Sequence, residues 1–445
     1  MENIFYLLNM SVSGIKNIKE EVRLNFYKKT VDKNFDPEKY RIKAIYGENG
    51  SGKSALITAV KILQDLIVQD NYLNESKTQL FLDEIINKKT HTFRLCCEIL
   101  LKDDDKKSIY KYSVHMAKGK SGLYEIQHES LQVKNGNYMN KNYTTVFECK
   151  KGELLSVNCT ANKRESLNKK TINLLSSRSF IYLYIMNFNK DDIYEKDPAN
   201  KELLIHLLAI SGFILTIVVY LGEEDQHELF FLQKRIKESG LGQQTIIDEL
   251  FKQDDSQNFF FNVNEKRIEK EHFEKYKEKV NRLTQFIKIF KTDLVSIDID
   301  AKENGEYYVC ELNLNYGDYV INKEFESTGI KKLIRLFDCF VSASNGGIVF
   351  VDEMDSNLND VYLCKLIEYF MYYGKGQLCF TTHNLDPMSI LKENRNSIDF
   401  LSTDNHLVTW TARGNATPEN CYRNGMIEDS PFNVEASDFV GILGE

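Results

Sequence analysis

Apolar and polar side chains alternate from Phe5 to Phe26, in YLLNMSVSGI and EVRLNF with two interruptions, and this predicts a pair of strands. A short strand, Arg41-Ile42-Lys43-Ala44-Ile45-Tyr46, then feeds the glycine-rich GENGSGKS. From Ala55 to Gln69 the period changes to that of a helix, with Leu56, Ala59, Val60, Ile62, Leu63 and Leu66 on one stripe. Segments such as FRLCCEILL, SIYKYSVHM and YEIQHESLQV between Thr92 and Asn158 predict an antiparallel meander with polar turns. Residues 161–305 turn towards helical patterns, including a charge-laced stretch from Glu265 to Lys291 whose mixed signs suit a solvated helix face. Strand-like YYVCELNLNY resumes at Tyr307, and two uninterrupted apolar runs follow, GIVFV and QLCF, as central strands of a covered parallel sheet would require. The pattern predicts an α/β fold in three stretches: 1–160, a largely helical insertion at 161–305, and 306–445 with a C-terminal extension.

One segment invites a different answer. Residues 203–221, LLIHLLAISGFILTIVVYL, reach the roughly 18-residue threshold for a membrane-spanning helix, with His206 and Tyr220 as their titratable groups. A single crossing would put the glycine loop before it and the acidic strand end after it on opposite sides, so no stable span is expected. The segment is then either a buried core helix or a contact with a partner or second copy, and it is carried forward as a candidate interface.

Composition narrows the setting. A net charge of −8 argues against a uniformly polyanion-binding surface but leaves room for a local basic groove. The nine cysteines form no CxxC pair, and the N-terminus, Met1-Glu2-Asn3-Ile4-Phe5, lacks an export signal, so a cytoplasmic protein with reduced thiols is expected.

Chemistry concentrates in four places. Gly47, Glu48, Asn49, Gly50, Ser51, Gly52, Lys53 and Ser54 match the phosphate-binding loop GxxxxGK[ST] between a strand and a helix, a pattern that turns backbone N–H groups and a helix N-terminus towards phosphate. Lys53 would reach the β and γ phosphates of ATP, and Ser54 would ligate Mg2+. Asp352 and Glu353 end the apolar run from Gly347 to Val351: Asp352 would hold Mg2+, and Glu353 would orient and deprotonate the attacking water. A helix cap is the competing reading of that acid pair. Glu326-Ser327-Thr328-Gly329-Ile330-Lys331-Lys332 opens the apolar-periodic LIRLFDCF, as an anion-facing turn or an ordinary N-cap. His383 ends the second buried run, where it either contacts the γ-phosphate or serves structure.

Taken in order, GENGSGKS, ESTGIKK, VDEMDSNLND and TTHN resemble the Walker A, signature, Walker B with D-loop, and switch-histidine motifs of ABC-type ATPases of the SMC, RecF and OLD branch. Thr328 and Ile330 depart from the usual signature. The resemblance implies an ATPase head split around the insertion, with ATP and Mg2+ as cofactors, Asp355 and Asn357 in the D-loop, and Lys53, Glu353 and His383 at the chemistry. It implies further that nucleotide is sandwiched between two copies of the chain, Ser327 and Gly329 of one facing the γ-phosphate bound by Lys53 of the other.

The insertion is too short for SMC coiled-coil arms, and about 60 residues after His383 leave no room for the nuclease domain of OLD proteins. The layout, together with the end NCYRNGMIEDSPFNVEASDFVGILGE, resembles the compact ATPases of phage-defence operons such as PARIS, AbiL and Septu. That likeness implies a homo-oligomeric, ATP-hydrolysing sensor or scaffold that holds a separately encoded effector such as a nuclease. The alternative is a RecF-like repair ATPase acting on DNA through Lys266, Arg267, Lys270, Lys275, Lys277 and Lys279.

Overall fold

The computed structural model describes residues 4–27, 31, 35–103, 106–136, 142–187, 196–221, 266–394, 396–411, 416–430 and 442. The chain opens with the antiparallel pair β1 (Ile4–Ser13) and β2 (Val22–Asn25). Next, β3 (Ile42–Tyr46) runs through the glycine loop into α1 (Lys53–Val68), and α2 (Ser76–Ile85) follows. The meander comprises β4 (Thr92–Asp103), β5 (Lys106–Lys118), β6 (Tyr124–Asn135), β7 (Thr144–Lys150) and β8 (Glu153–Val157). With the first pair it makes a seven-stranded antiparallel sheet ordered β2-β1-β4-β5-β6-β7-β8.

Residues 161–305 are less uniformly helical than their pattern suggests. The described part holds α3 (Ala161–Thr171), α4 (Phe180–Met186), α5 (Pro198–Thr216), β9 (Ile217–Tyr220), β10 (Lys266–Glu269), α6 (Phe273–Phe290) and β11 (Ser296–Asn304). Asp197 caps α5 and Pro198 opens it, while the β-branched run Ile217-Val218-Val219 favours extended chain where the helix stops. After β12 (Tyr307–Asn315) and β13 (Val320–Asn322) come α7 (Thr328–Ser344), β14 (Ile348–Val351), α8 (Asp360–Tyr373) and β15 (Gln377–Thr381). The chain then gives α9 (Pro387–Leu391), β16 (Ile398–Leu401), β17 (Leu407–Thr409) and α10 (Pro418–Arg423).

A six-stranded sheet, ordered β17-β16-β3-β15-β14-β9, carries the chemistry; all its pairings are parallel except that of β17 with β16. Its central strands β3, β15 and β14 are buried at every position. Alternation divides the faces: Ile348 and Phe350 join a core with α1, α4 and α5, whereas Val349 and Val351 join one with α7, α8 and α9. Gln377, at the start of β15, exchanges two hydrogen bonds with the Leu7 backbone of β1 (2.6 and 3.0 Å) and so ties the two large sheets together. This is a mixed-sheet α/β architecture in which the glycine loop follows a central parallel strand and leads into α1.

The apolar segment 203–221 is accounted for within the fold. By length and composition α5 could cross a membrane. Yet Leu203, Leu207, Ile210 and Phe213 are at most 1% exposed, and Gln64 of α1 donates to the Ile217 carbonyl at 2.8 Å. The segment thus follows the core-helix reading along one face, with α1 and α4 packed on it and strand β9 after it, while Ile205 is 52% exposed. The charge-laced stretch is amphipathic: Tyr276, Val280, Leu283 and Ile287 of α6 face the small sheet β10-β12-β11, with β13 on β12, and one flank of α7. Lys279 departs from a solvated face. It is 4% exposed and ion-paired with Asp338 of α7 at 2.5 Å.

Candidate nucleotide-hydrolysis site

Because β3, β15 and β14 are parallel neighbours, the loops leaving their C-terminal ends emerge along one sheet edge. The first is the glycine loop. Gly47 has a φ of 155°, and a Cβ there would lie 2.3 Å from the Leu401 carbonyl oxygen and 2.7 Å from Ser51 Oγ. Gly52 caps α1 at φ 107° with no side-chain acceptor, and its Cβ position is closed by Ile18 at 2.8 Å. The first N–H groups of α1 therefore receive no side-chain cap from Gly52, an arrangement that suits an anion. Lys53 is 6% exposed, and its Nζ donates to the Gly47 and Glu48 carbonyls at 2.8 and 2.9 Å. Burial lowers its pKa, opposed by the charges of Asp352, Glu353, Asp355 and Glu48, which places this cation within electrostatic reach of the β14 acids.

The second loop leaves β14. The Asp352 N–H donates to the Tyr220 carbonyl of β9 at 2.9 Å. Thr381 Oγ1, at the end of β15, donates to Asp352 Oδ1 at 2.5 Å and accepts from the Glu353 N–H at 2.7 Å. One hydroxyl thus fixes both acids. Glu353 has a φ of 47°, a region that non-glycine residues seldom occupy, and its side chain is exposed. Its carbonyl accepts from Lys332 Nζ, which also donates to Ser356 Oγ.

The third loop leaves β15. The His383 N–H donates to Asp355 Oδ2 at 3.3 Å, while Asp355 Oδ1 is buried without a hydrogen-bond partner among the described residues. Burial, and next the nearby Lys53 ammonium, push the His383 pKa down, so that a neutral imidazole is favoured.

Ser327 caps α7, its hydroxyl accepting from the Ile330 N–H at 3.4 Å. The turn of the same chain explains Gly329: a Cβ there would lie 2.6 Å from the Asn357 carbonyl oxygen. Ser327 and Thr328 are exposed, and a cavity of about 210 Å³ lies between Thr328, Lys332 and Arg335 of α7 and Asp352, Glu353 and Asn357 of the β14 turn.

With that geometry in place, comparison with known proteins adds a distant likeness. No family model and no curated protein matches the sequence. Among solved structures, the chain is similar to that of the recombination mediator protein RecF-ATPrS in the RecFOR pathway, at 13% identity and a TM-score of 0.37, covering 91% of this chain and 98% of that one.

The oxygen donors present suit a hard divalent cation. Ser54 stands beside Lys53 in the first turn of α1, and Asp352 keeps Oδ2 outside its bond to Thr381. Sequence reasoning placed Lys53, Asp352, Glu353 and His383 on loops that the fold brings to one edge. It placed Ser327 and Gly329 on a helix start that packs on the β14 turn of its own chain. It missed Thr381, although the residue directly precedes Thr382-His383, and it missed Lys332. The available signal for Lys332 was its place four residues after Thr328, on the same face of α7.

Proposed function

We propose that this protein binds and hydrolyses ATP with Mg2+, using Lys53, Ser54, Asp352, Glu353 and His383 within one chain and Ser327 and Gly329 of a second copy across the nucleotide. The carrying observation is the convergence of the glycine loop, the β14 acids and His383 on one edge, with Thr381 bonding both acids. Lys53 exchanges its carbonyl partners for phosphate oxygens. Ser54 and Asp352 would hold Mg2+, which would supply charge neutralisation at the phosphates. Glu353, exposed beside them, orients and deprotonates the attacking water, and neutral His383 donates a hydrogen bond to the γ-phosphate.

A cytoplasmic homo-oligomer that holds or activates a separate effector in anti-phage defence is the setting we attach to this chemistry, on the strength of the motif order and the short insertion between the two halves. The DNA-acting alternative stands as the second reading; of its six basic residues, three have ion-pair partners within the chain. Lys279 is buried against Asp338, while Lys277 and Lys270 pair with Glu274 and Glu303.

The test is phosphate release against protein concentration, with nucleotide binding measured in parallel. Dilute monomers should bind ATP but turn it over slowly, with specific activity rising roughly tenfold or more as subunits associate. A specific activity that is high and independent of concentration would contradict the shared site.

A further inference from the structure

Lys332 lies on the second turn of α7, 6% exposed, and its ammonium reaches out of the helix into the turn after β14. It donates to the Glu353 carbonyl and to Ser356 Oγ, so two of its three N–H groups are committed to that turn. The Glu353 peptide is thereby held from both sides. Thr381 of β15 accepts from its N–H at 2.7 Å, and Lys332 of α7 donates to its carbonyl. A glutamate at φ 47° persists where its surroundings over-determine it, and these two contacts come from residues 28 and 21 positions away.

Resting on the reading of Glu353 as the hydrolytic carboxylate, we propose that Lys332 is a positioning residue that fixes the Glu353 backbone, so that the carboxylate meets the attacking water. It links the start of α7 to the hydrolytic group of its own chain. Glu353 is exposed, and the lysine is bonded to its backbone oxygen rather than to its carboxylate. Burial drives the Lys332 pKa down to about 8, and the Asp355, Glu353 and Asp352 charges oppose it; Lys331 and Arg335 share the adjoining cavity. The start of α7 carries the exposed Ser327 and Thr328, and Lys332 connects that helix start to the Glu353 backbone.

The full chain carrying Lys332→Met keeps the apolar stem and loses the donors. Its kcat should fall roughly 10- to 100-fold, because small misplacement of a reacting group is costly, while affinity for a fluorescent ATP analogue stays within about twofold. Lys332→Arg should recover most of the loss, since guanidinium still donates to both oxygens. If Lys332→Met does not fold, Ser356→Ala removes one acceptor at the surface side and should still lower kcat several-fold with affinity unchanged. A kcat within twofold of the parent in the folded variants, while Glu353→Gln is inactive, overturns the Lys332 role alone, as does a joint loss of kcat and affinity that arginine does not restore. A fully active Glu353→Gln overturns the hydrolytic reading and this role with it.

Discussion

On the proposed reading the glycine loop and the turn after β14 deliver two halves of one chemistry, and they are held in different ways. Lys53 is held by carbonyls five and six residues before it, inside one contiguous motif. Glu353 is held by Thr381 and Lys332, which belong to other elements of the chain. A phosphate-gripping loop needs only its own backbone, because the strand, the glycines and the helix N-terminus supply the nest. A water-orienting carboxylate needs a fixed direction in space, and that direction comes from packing three elements together. The first is local chemistry, the second tertiary.

This difference can be broken at Thr381. In Thr381→Val the Glu353 N–H loses its acceptor and Asp352 its donor, while the glycine loop keeps every contact it has. Turnover should fall roughly 10- to 100-fold, and unfolding free energy should drop by about 1–3 kcal/mol for the buried N–H left unpaired. Parallel binding and phosphate-release assays check this. A proportionate loss of nucleotide affinity would mean that the two halves are not held independently.

A smaller effect is expected where α7 meets the turn. Gly329→Ala places a methyl 2.6 Å from the Asn357 carbonyl oxygen, so the turn or the helix start must shift. The cost should be about 1–3 kcal/mol of overpacking, read from a chemical denaturation midpoint. Wild-type stability in this variant would show that the close approach does not constrain the turn.

The same division explains what the chain disclosed before its fold was known. Strand, glycine loop and helix are adjacent in sequence, so Gly47 to Ser54 were legible down to the residue. Asp352, Glu353 and His383 were legible as strand-end groups because the uninterrupted apolar runs before them identify buried parallel strands. Thr381 and Lys332 were not, since a threonine in a strand and a lysine on a helix carry no mark of their partners. The apolar stretch 203–221 left two readings open for a related reason: its composition records burial but not what buries it. In the fold, its end becomes an edge strand whose Tyr220 carbonyl accepts from the Asp352 N–H, so the insertion abuts the acids themselves.

The most direct measurement compares ATP retention with phosphate release in the parent and in Glu353→Gln under identical saturating nucleotide. Glutamine keeps the size of the side chain and removes its basicity, so the variant should bind ATP like the parent, accumulate in an associated ATP-bound form, and release phosphate at least about 100-fold more slowly. Phosphate release at the parental rate would contradict the assignment of Glu353, and with it the account of this edge of the sheet as a site of ATP hydrolysis.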